Sequence, residues 1–525
     1  MSSGSELKRY HAAEWHEPII MEMGRAGERG IIIPEVEEEI KRSIGQPNHF
    51  VPATMRRRIP PKLPQLAQPQ VLRHYLRLSQ QTLGMEETID IGLGTCTMKY
   101  SPKVNEEFVR QTAHLHPLQD EATLQGVLEI MYKFGKLFLK EISGMDEFSY
   151  QPGGGSEAVF TNALIIGKYH EMNGELAERN EIITTAFSHP CDSAAPATAG
   201  FKVVTLYPDP NTGYPTLDAL KAAVSKHTAG LMVTNPEDTG IFNPEIAEWT
   251  RIVHEVGGLC AYDQANANAI LGITSARDAD FDMCFFNLHK TFSSPHGGEG
   301  PGCGAIGVKE ELASFLPVPV VTFDGTKYHL DYNRPSSVGK IREFYGNVPV
   351  VLRAYAWAMS MGSDGLREVA ETSALNNSYL DKKLLTIKGI TKPYSVKRRV
   401  DQARYSLERL KSDTGIGTHD VNRRIIDFGL QSYFTSHAPV LVPEPFTPEP
   451  CETYSKTDID YWTSVIRKVC EEAYENPEII ETAPHNSTIS QIHEAHLDDP
   501  ARWAMTWRAY VRKRTESGKI KVNPP

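Results

Sequence analysis

The chain has 525 residues, 40% of them hydrophobic and 23% charged, which is long enough for two or three domains with buried cores. Its formal net charge of −11 argues against nucleic acid or an anionic membrane as the main partner. No signal-type N-terminus and no run of about 20 apolar residues is present, so we expect neither secretion nor a membrane span.

Seven cysteines are scattered along the chain, and their number is odd. This usage is typical of reduced thiols rather than of a disulfide framework. We therefore expect a cytoplasmic protein.

The two ends of the chain differ from its middle. Residues 1–75 are polar and rich in proline and arginine, and predict an extended N-terminal arm with little core of its own. Residues 351–525 are more helical, are interrupted by the proline-rich stretch 438–450, and predict a smaller C-terminal α+β domain.

Between them, residues 76–350 alternate short apolar runs with helical patterns. The clearest examples are the predicted strands TAGLMVTNP (228–236), GLCAYDQAN (258–266) and DFDMCFFN (280–287), and the predicted helix EIAEWTRIVHEVGG (245–258). Strand, helix and strand at this spacing predict βαβ units, and hence an α/β domain with a mostly parallel sheet and flanking helices.

Polar residues stand where these strands end. Asn235, Asp263 and Asn287 close three predicted strands, and Lys290 follows the last of them. Open parallel sheets bind ligands at the carboxyl ends of their strands, so these side chains are candidates for one site.

A second candidate feature is a glycine-rich turn. In QPGGGSEAVFTNALIIGKYHE (151–171), Pro152 and three glycines end an extended stretch, and an amphipathic helix starts near Ser156. Free N–H groups at a helix N-terminus, with glycines that permit close approach, suit a phosphate. Gly-Gly-Gly-Ser alone would equally well be a flexible turn.

Together these features fit pyridoxal phosphate (PLP). A desolvated Lys290 can form a Schiff base with the cofactor aldehyde, and Asp263 can hold the pyridine nitrogen protonated. Taken separately, Lys290 could be a surface lysine and Asp263 a helix cap. The order of phosphate turn, aspartate and lysine on one βα domain is more specific.

Other cofactors are not indicated. GGEGPGCG (297–304) has the wrong spacing for a dinucleotide-binding loop, and HEAH (493–496) is one residue short of HExxH. His114 and His116 lack carboxylate neighbours, so we expect no metal.

At this point the sequence resembles a known family: the C-terminal, cofactor-bearing half of the glycine cleavage P-protein, which in split form is glycine dehydrogenase (decarboxylating) subunit 2. The resemblance covers nearly the full length. It includes EMGRAGERG (22–30), GLGTCTMKYSP (92–102), LHPLQDEATLQG (115–126), LMVTNPEDTGIF (231–242), YDQANANAILG (262–272), NLHKTFSSPHGGEGPG (287–302), RPSSVGKIREFYGN (334–347) and ETYSKT (452–457).

The resemblance implies a PLP-dependent transferase fold of type I, at least a homodimer, and site residues by position. Lys290 would be the Schiff-base lysine, with His189 and His289 as further catalytic candidates. The cofactor-binding candidates are Gly154, Gly155, Ser156, Glu157, Asn235, Asp263, Asn266, Thr291, His296, Gly297 and Gly298. By the same resemblance, His296 and its glycine loop would reach a neighbouring site across the dimer.

The chain also departs from the family pattern. Glu157 stands where the family usually has a histidine over the cofactor ring. Tyr405-Ser406 stands where the family has a His-Glu pair in the C-terminal domain. Glu237-Asp238 replaces Asn-Thr, and Gln264 and Glu299 each replace a glycine. Because the cofactor-holding positions are kept, this pattern is the one expected if the substrate changed.

Three hypotheses follow. The family activity would decarboxylate glycine through an external aldimine and a stabilised carbanion, pass an aminomethyl group to a lipoyl carrier protein, and require an N-terminal-half partner subunit. A divergent biosynthetic enzyme could instead use a larger amino acid such as S-adenosylmethionine, by γ-elimination and carbon–carbon bond formation. A non-catalytic partner subunit is the third hypothesis, and the retained Lys290 and Asp263 count against it.

Overall fold

The computed structural model describes residues 6–28, 30, 35–45, 50–59, 61, 63–84, 86–92, 94, 96–97, 99–295, 302–396, 398–431, 435–437, 440–492, 499 and 503–516. These residues form two compact units, one within Met1–Lys8 and Thr88–Glu481 and the other within Arg9–Glu87 and Thr482–Pro525. The boundaries predicted at residues 75 and 350 stay predictions.

The larger unit is built on a sheet. Its strands are β1 (Glu147–Ser149), β2 (Glu181–Thr185), β3 (Lys202–Leu206), β4 (Thr228–Thr234), β5 (Leu259–Asp263), β6 (Met283–Asn287) and β7 (Gly304–Val308). Across the described chain their order is β1-β7-β6-β5-β4-β2-β3. Strands β2 to β6 pair in parallel, and β7 runs antiparallel to both β6 and β1.

Both faces of this sheet are covered, which explains why its strands are continuous apolar runs. In β6, Cys284 and Phe286 join one apolar core, while Met283 and Phe285 join another. Successive side chains of a strand point to opposite faces, so every residue of β6 is buried. The prediction of a mostly parallel sheet is confirmed.

Helices flank the sheet within the larger unit, and three further described helices belong to the smaller unit. The described helices are α1 (Glu38–Ile44), α2 (Gln68–Gln80), α3 (Val104–Arg110), α4 (Glu121–Lys133), α5 (Lys140–Ser143), α6 (Gly155–Met172), α7 (Cys191–Thr198), α8 (Leu217–Ala223), α9 (Ile246–Glu255), α10 (Val348–Leu384), α11 (Glu408–Thr414), α12 (Thr418–Arg424), α13 (Lys456–Glu475), α14 (Glu478–Glu481) and α15 (Trp507–Glu516). A π-helical turn (Phe134–Leu139) joins α4 to α5, and short 3-10 turns occupy Ile20–Glu22, Arg277–Ala279, Glu310–Phe315 and Ile425–Phe428.

The predicted helix at 245–258 shows how the sequence sets these elements. Trp249, Ile252 and Val253 recur at helical spacing and are buried, while Arg251 and Glu255 on the other side are exposed. Gly257, at φ 84°, occupies the left-handed conformation that glycine accepts, and ends the helix before β5.

The part after residue 350 is mainly helical, as predicted. The long α10 contains a kink at Gly362, whose φ of 64° is not helical. After α10, β10 (Tyr405–Ser406) and β11 (Pro445–Phe446) form a two-stranded antiparallel ribbon. A second ribbon, β8 (Val320–Phe323) with β9 (Tyr328–Asp331), precedes α10. Of the described helices, none is long and apolar enough to cross a membrane.

Candidate active site

Three neighbouring strand ends form the floor of a cleft. In the parallel pairing, Thr234 of β4 lies beside Asp263 of β5, which lies beside Phe285 of β6, so the three strands end at one edge. The cleft at this edge is lined by His189, Thr234, Pro236, Asp238, Asp263, Ala265, Asn266, Lys290, Asp401 and Gln402. The sheet thus brings Lys290 and Asp263 together, as the strand-end pattern predicted.

Lys290 follows β6 in a tight turn. Its backbone N–H donates to the carbonyl of Asn287 (3.0 Å), and only 7% of the residue is exposed. The hydroxyl of Thr291 accepts a hydrogen bond from the backbone of Ala267 (2.9 Å), which fixes the turn against the loop after β5. A nearly buried primary amine on a rigid strand end is what covalent attachment of an aldehyde cofactor needs.

Asp263 is buried beside a second aspartate. Its Oδ1 accepts a hydrogen bond from the backbone of Ala265 (2.8 Å), and Asp192, at the start of α7, accepts one from the Thr234 hydroxyl (3.3 Å). Burial raises the pKa of Asp263 to about 6. Burial and the charge of Asp263 hold the pKa of Asp192 well above its usual range. The proton of the pair therefore resides on Asp192, and Asp263 keeps the negative charge that a protonated pyridine nitrogen needs.

The glycine turn stands at the start of α6, which begins at Gly155. A side chain at Gly304 would lie 2.8 Å from the Gly154 carbonyl, so glycine lets β7 pack against this turn. At Gly154 itself, the nearest atom to an added Cβ is 3.8 Å away, which leaves the turn open. Ser156 is exposed in the first helical turn, whose N–H groups have no partner within the helix.

Glu157 lies on the outer side of this turn. Its Oε2 accepts a hydrogen bond from the backbone of Gly153 (2.7 Å) and lies 3.8 Å from the Arg342 guanidinium. Both side chains are about half exposed. Glu157 therefore closes the glycine turn with a local hydrogen bond.

The two candidate histidines occupy different places. His189 lines the cleft, and burial together with the charge of Lys290 lowers its pKa to about 4. It is therefore neutral near pH 7. His289 lies on the glycine-turn side, where the backbone of Cys303 donates to its Nδ1 (3.3 Å), and it is not among the residues that line the cleft.

The two candidate asparagines also differ. The Asn235 side chain accepts from the backbone of Asn243 (2.8 Å) and donates to its carbonyl (3.3 Å), which fastens the loop after β4. Asn266 lines the cleft and donates to Asp401 and Glu449.

Glu237 and Asp238 are both buried, in opposite electrostatic surroundings. Asp238 accepts from Arg404 (3.3 Å) and from His437 (3.3 Å). Burial opposes its ionisation, but the His437 hydrogen bond and the Arg404 charge outweigh burial and lower the pKa of Asp238. Glu237 accepts only from the Thr185 hydroxyl among the described residues, and burial raises its pKa to about 8.

Several site residues were not singled out from the sequence. They are Asp192, Asp401, Arg404 and Glu449. Tyr405 and Ser406 point elsewhere: the Tyr405 hydroxyl donates to Asp381 (2.7 Å), and the Ser406 hydroxyl donates to the Pro443 carbonyl (2.6 Å). His296, Gly297, Gly298, Glu299 and the HEAH stretch lie outside the described residues.

Residues 154–406 match the Aminotransferase class-V family. The chain is 43% identical over 515 residues to a protein of Pyrococcus furiosus named "Probable glycine dehydrogenase (decarboxylating) subunit 2", covering 97% of this chain and 99% of that protein. The chain belongs to the glycine dehydrogenase (decarboxylating) subunit 2 family. A Thermococcus onnurineus protein of the same name is 42% identical over 98% of this chain and all of its own length.

Solved structures share the fold of this family member. A glycine decarboxylase (P-protein) of the glycine cleavage system, in inhibitor-bound form, superposes with a TM-score of 0.70 at 19% identity, covering 84% of this chain and 100% of that chain. A NifS-like protein superposes with a TM-score of 0.55 at 17% identity, covering 73% and 99%. The fold is therefore that of the PLP-dependent enzymes of fold type I.

This subunit 2 family member is a PLP-dependent enzyme. Its own residues fit that cofactor: the cleft offers a nearly buried amine at Lys290 and a buried carboxylate at Asp263, and the start of α6 is open at Gly154.

Proposed function

We propose that the chain breaks a bond at the Cα of an amino acid in the manner of a glycine decarboxylase, with glycine as the first substrate to test. The observation that carries the proposal is the meeting of Lys290 and Asp263 at adjacent strand ends, in a chain that matches subunit 2 relatives over nearly their whole length. PLP, when bound, accepts the electron pair left at Cα when that bond breaks.

In this proposal the residues divide the work by position. Lys290 would hold the cofactor aldehyde, the carboxylate of Asp263 would face the ring nitrogen, and the N–H groups at Gly154 and Gly155 would take the phosphate. His189, which is neutral near pH 7, would contact the ring or the substrate without adding charge. Lys290 is the group best placed to move protons at Cα once its amine is released.

The test combines a spectrum with an exchange reaction. Protein loaded with PLP is titrated with glycine while the absorbance of the bound cofactor is followed, and exchange of the glycine carboxyl carbon with labelled bicarbonate is measured. We expect a saturable spectral change and exchange in the wild type, with loss of both in Lys290→Ala. Lys202→Ala, at an exposed position on β3, is the matched control and should behave as wild type.

The relatives' designation "subunit 2" supports a further element of the proposal, a partner subunit that supplies the N-terminal half. Exchange should then increase when that subunit and a lipoyl carrier protein are added. An absence of exchange in the complete mixture, with PLP bound and glycine present, would remove glycine as the substrate.

A second candidate is a larger amino acid, processed at Cα by the same cofactor. It is favoured by the surplus of buried carboxyl groups around the cleft, since Asp238 and Asp401 line it and Glu237 and Glu449 lie beside them. Glycine has no side chain that could meet these groups. S-adenosylmethionine is one such amino acid and serves as the comparison in the same spectral titration.

A further inference from the structure

One wall of the cleft carries a pair of buried carboxyl groups. Asp401 (1% exposed) lines the cleft, and Glu449 (2% exposed) lies behind it. A single amide nitrogen holds them together: Nδ2 of Asn266 donates to Asp401 Oδ2 (3.3 Å) and to Glu449 Oε1 (3.0 Å). Glu449 Oε1 is held a second time by the hydroxyl of Thr97 (2.7 Å).

Each carboxyl group keeps one oxygen without a partner. Asp401 Oδ1 and Glu449 Oε2 are buried and accept no hydrogen bond from the described residues. Buried polar atoms are rarely left in this condition, because an unpaired buried polar group destabilises the fold. The two free oxygens therefore mark a position where hydrogen-bond donors or positive charge are missing.

Two of the basic side chains nearby are engaged with other acids. Lys99 binds Glu452 (2.7 Å) and Asn268 (2.6 Å). Arg404 is paired with Asp238. Neither Asp401 nor Glu449 forms an ion pair with a described lysine, arginine or histidine, although each has a fixed position in the wall.

Burial and mutual repulsion govern the charge of the pair. Burial raises the pKa of Asp401 to about 6, and burial together with the charge of Asp401 raises the pKa of Glu449 to about 8. Hydrogen bonds from the neighbouring backbone and Asn266, and then the charge of Lys99, lower the pKa of Asp401. Hydrogen bonds from Thr97 and Asn266, and then the charge of Lys290, lower the pKa of Glu449. Near pH 7 the pair therefore holds about one negative charge and can release a further proton when a cation arrives.

We propose that Asp401 and Glu449 form a subsite for a positively charged group on the side chain of the amino acid substrate, an ammonium or a sulfonium. The inference rests on the proposed function, because it requires PLP at Lys290 and an amino acid in the cleft. It does not depend on which bond at Cα breaks. Asn266 holds one oxygen of each carboxyl group, and the other oxygen of each has no partner among the described residues.

The experiment uses two matched pairs of ligands. L-ornithine and L-norleucine have side chains of equal length, one charged and one neutral. S-adenosylmethionine and S-adenosylhomocysteine differ by the methyl group that creates the sulfonium. Each ligand is titrated into the PLP-loaded protein while the absorbance of the bound cofactor is followed. We expect at least one charged ligand to bind at least tenfold more tightly than its neutral counterpart at pH 8, and the ratio to fall as the pH is lowered to 6.

Three variants test the residues. Asp401→Asn and Glu449→Gln should each reduce the charged-to-neutral ratio, and the double variant should bring it to within about twofold of one, mainly by weakening binding of the charged ligand. Asp90→Asn is the matched control, because Asp90 is also buried, has a raised pKa and an unpartnered oxygen, and does not line the cleft. It should keep the wild-type ratio.

A measurement on the wild type covers the case in which the variants do not fold. Calorimetric titration in buffers of different ionisation enthalpy should record more proton release with the charged ligand than with its neutral counterpart. Equal affinities and equal proton release within both pairs would overturn the subsite while leaving the proposed function intact. If no amino acid, glycine included, changes the spectrum of bound PLP, the proposed function fails and the subsite fails with it.

Discussion

Replacing Glu237 by glutamine should stabilise the protein at high pH and leave it unchanged at low pH. Glu237 is fully buried, accepts one hydrogen bond from Thr185, and has no described partner for Oε2. Burial raises its pKa to about 8 from an ordinary value of 4.5. Glutamine keeps the acceptor for Thr185 and resembles the protonated acid at every pH.

The sign and size follow from linkage. Because the folded-state pKa is raised, the folded state retains a proton between pH 4.5 and 8 that the unfolded state has lost. The stability contributed by protonated Glu237 is therefore fully present below about pH 4.5, and it is lost as the pH rises from about 4.5 to about 8. The difference between pKa 4.5 and about 8, at about 1.4 kcal/mol for each pH unit, sets an upper bound of about 5 kcal/mol. For a cooperative unit of about 400 residues, this corresponds to a rise in Tm of roughly 5 °C.

The assay compares thermal unfolding of PLP-loaded wild type, Glu237→Gln and Asp238→Asn at pH 5, 7 and 9. Glu237→Gln should match the wild type at pH 5 and exceed its Tm by several degrees at pH 9. Asp238→Asn is the control at the neighbouring acid. It should lower the Tm at all three pH values, because it leaves the buried Arg404 without its counter-ion. An equal gain at pH 5 and pH 9, or none at pH 9, would refute the reasoning.

Three further predictions concern a buried acid of the site, a close backbone approach and a buried ion pair. Asp192→Leu removes the hydrogen-bond donor that stabilises ionised Asp263. The pH at which PLP dissociates on acidification should therefore rise by about one unit, as read from the absorbance of the bound cofactor. Asp192→Asn keeps a donor and should change this pH less. Gly240→Ala should lower the free energy of unfolding in urea by more than about 2 kcal/mol, because φ is +73° and the new Cβ would lie 1.8 Å from the Gln402 carbonyl. Lys309→Met should lower the free energy of unfolding at pH 7 by about 1.5–3 kcal/mol, because it removes the ammonium 2.9 Å from buried Asp282 and leaves His254 and the Cys260 N–H as its partners. That loss should shrink at pH values low enough to protonate Asp282, whose lowered pKa reflects hydrogen bonds and charges that outweigh burial.

The sequence predicted the parts of the site that follow from local pattern. Apolar runs bounded by turn residues gave the strands, and polar residues just after them marked the edge at which Asp263 and Lys290 meet. The carboxyl pair could not be found in this way. Asp401 and Glu449 are 135 and 183 residues from Asn266, and only the tertiary fold brings the three together.

The segment around β10 shows what the sequence leaves open. The resemblance directed attention to Tyr405 and Ser406, whose hydroxyls bind Asp381 and the Pro443 carbonyl. The preceding Arg404 makes the ion pair with Asp238 of the cleft lining. A two-residue strand carries no periodic pattern, so the sequence alone does not show which of its side chains pair with the buried acids.

The buried acids around the cleft can be distinguished by what neutralises each of them. Asp238 has Arg404 and Asp192 holds a proton beside Asp263, whereas in the proposed function Asp263 would be neutralised by the ring nitrogen of bound PLP. Glu237 lies outside the cleft lining, so its raised pKa points to a residue that stays protonated. Asp401 differs from these acids because it lines the cleft and has one oxygen without a hydrogen-bond partner among the described residues. If Asp401 and Glu449 were only a structural pair, their amide variants would gain stability at high pH as Glu237→Gln does, with no change in ligand selectivity. Stability and selectivity measured on the same variants therefore separate a tolerated buried acid from one that binds substrate.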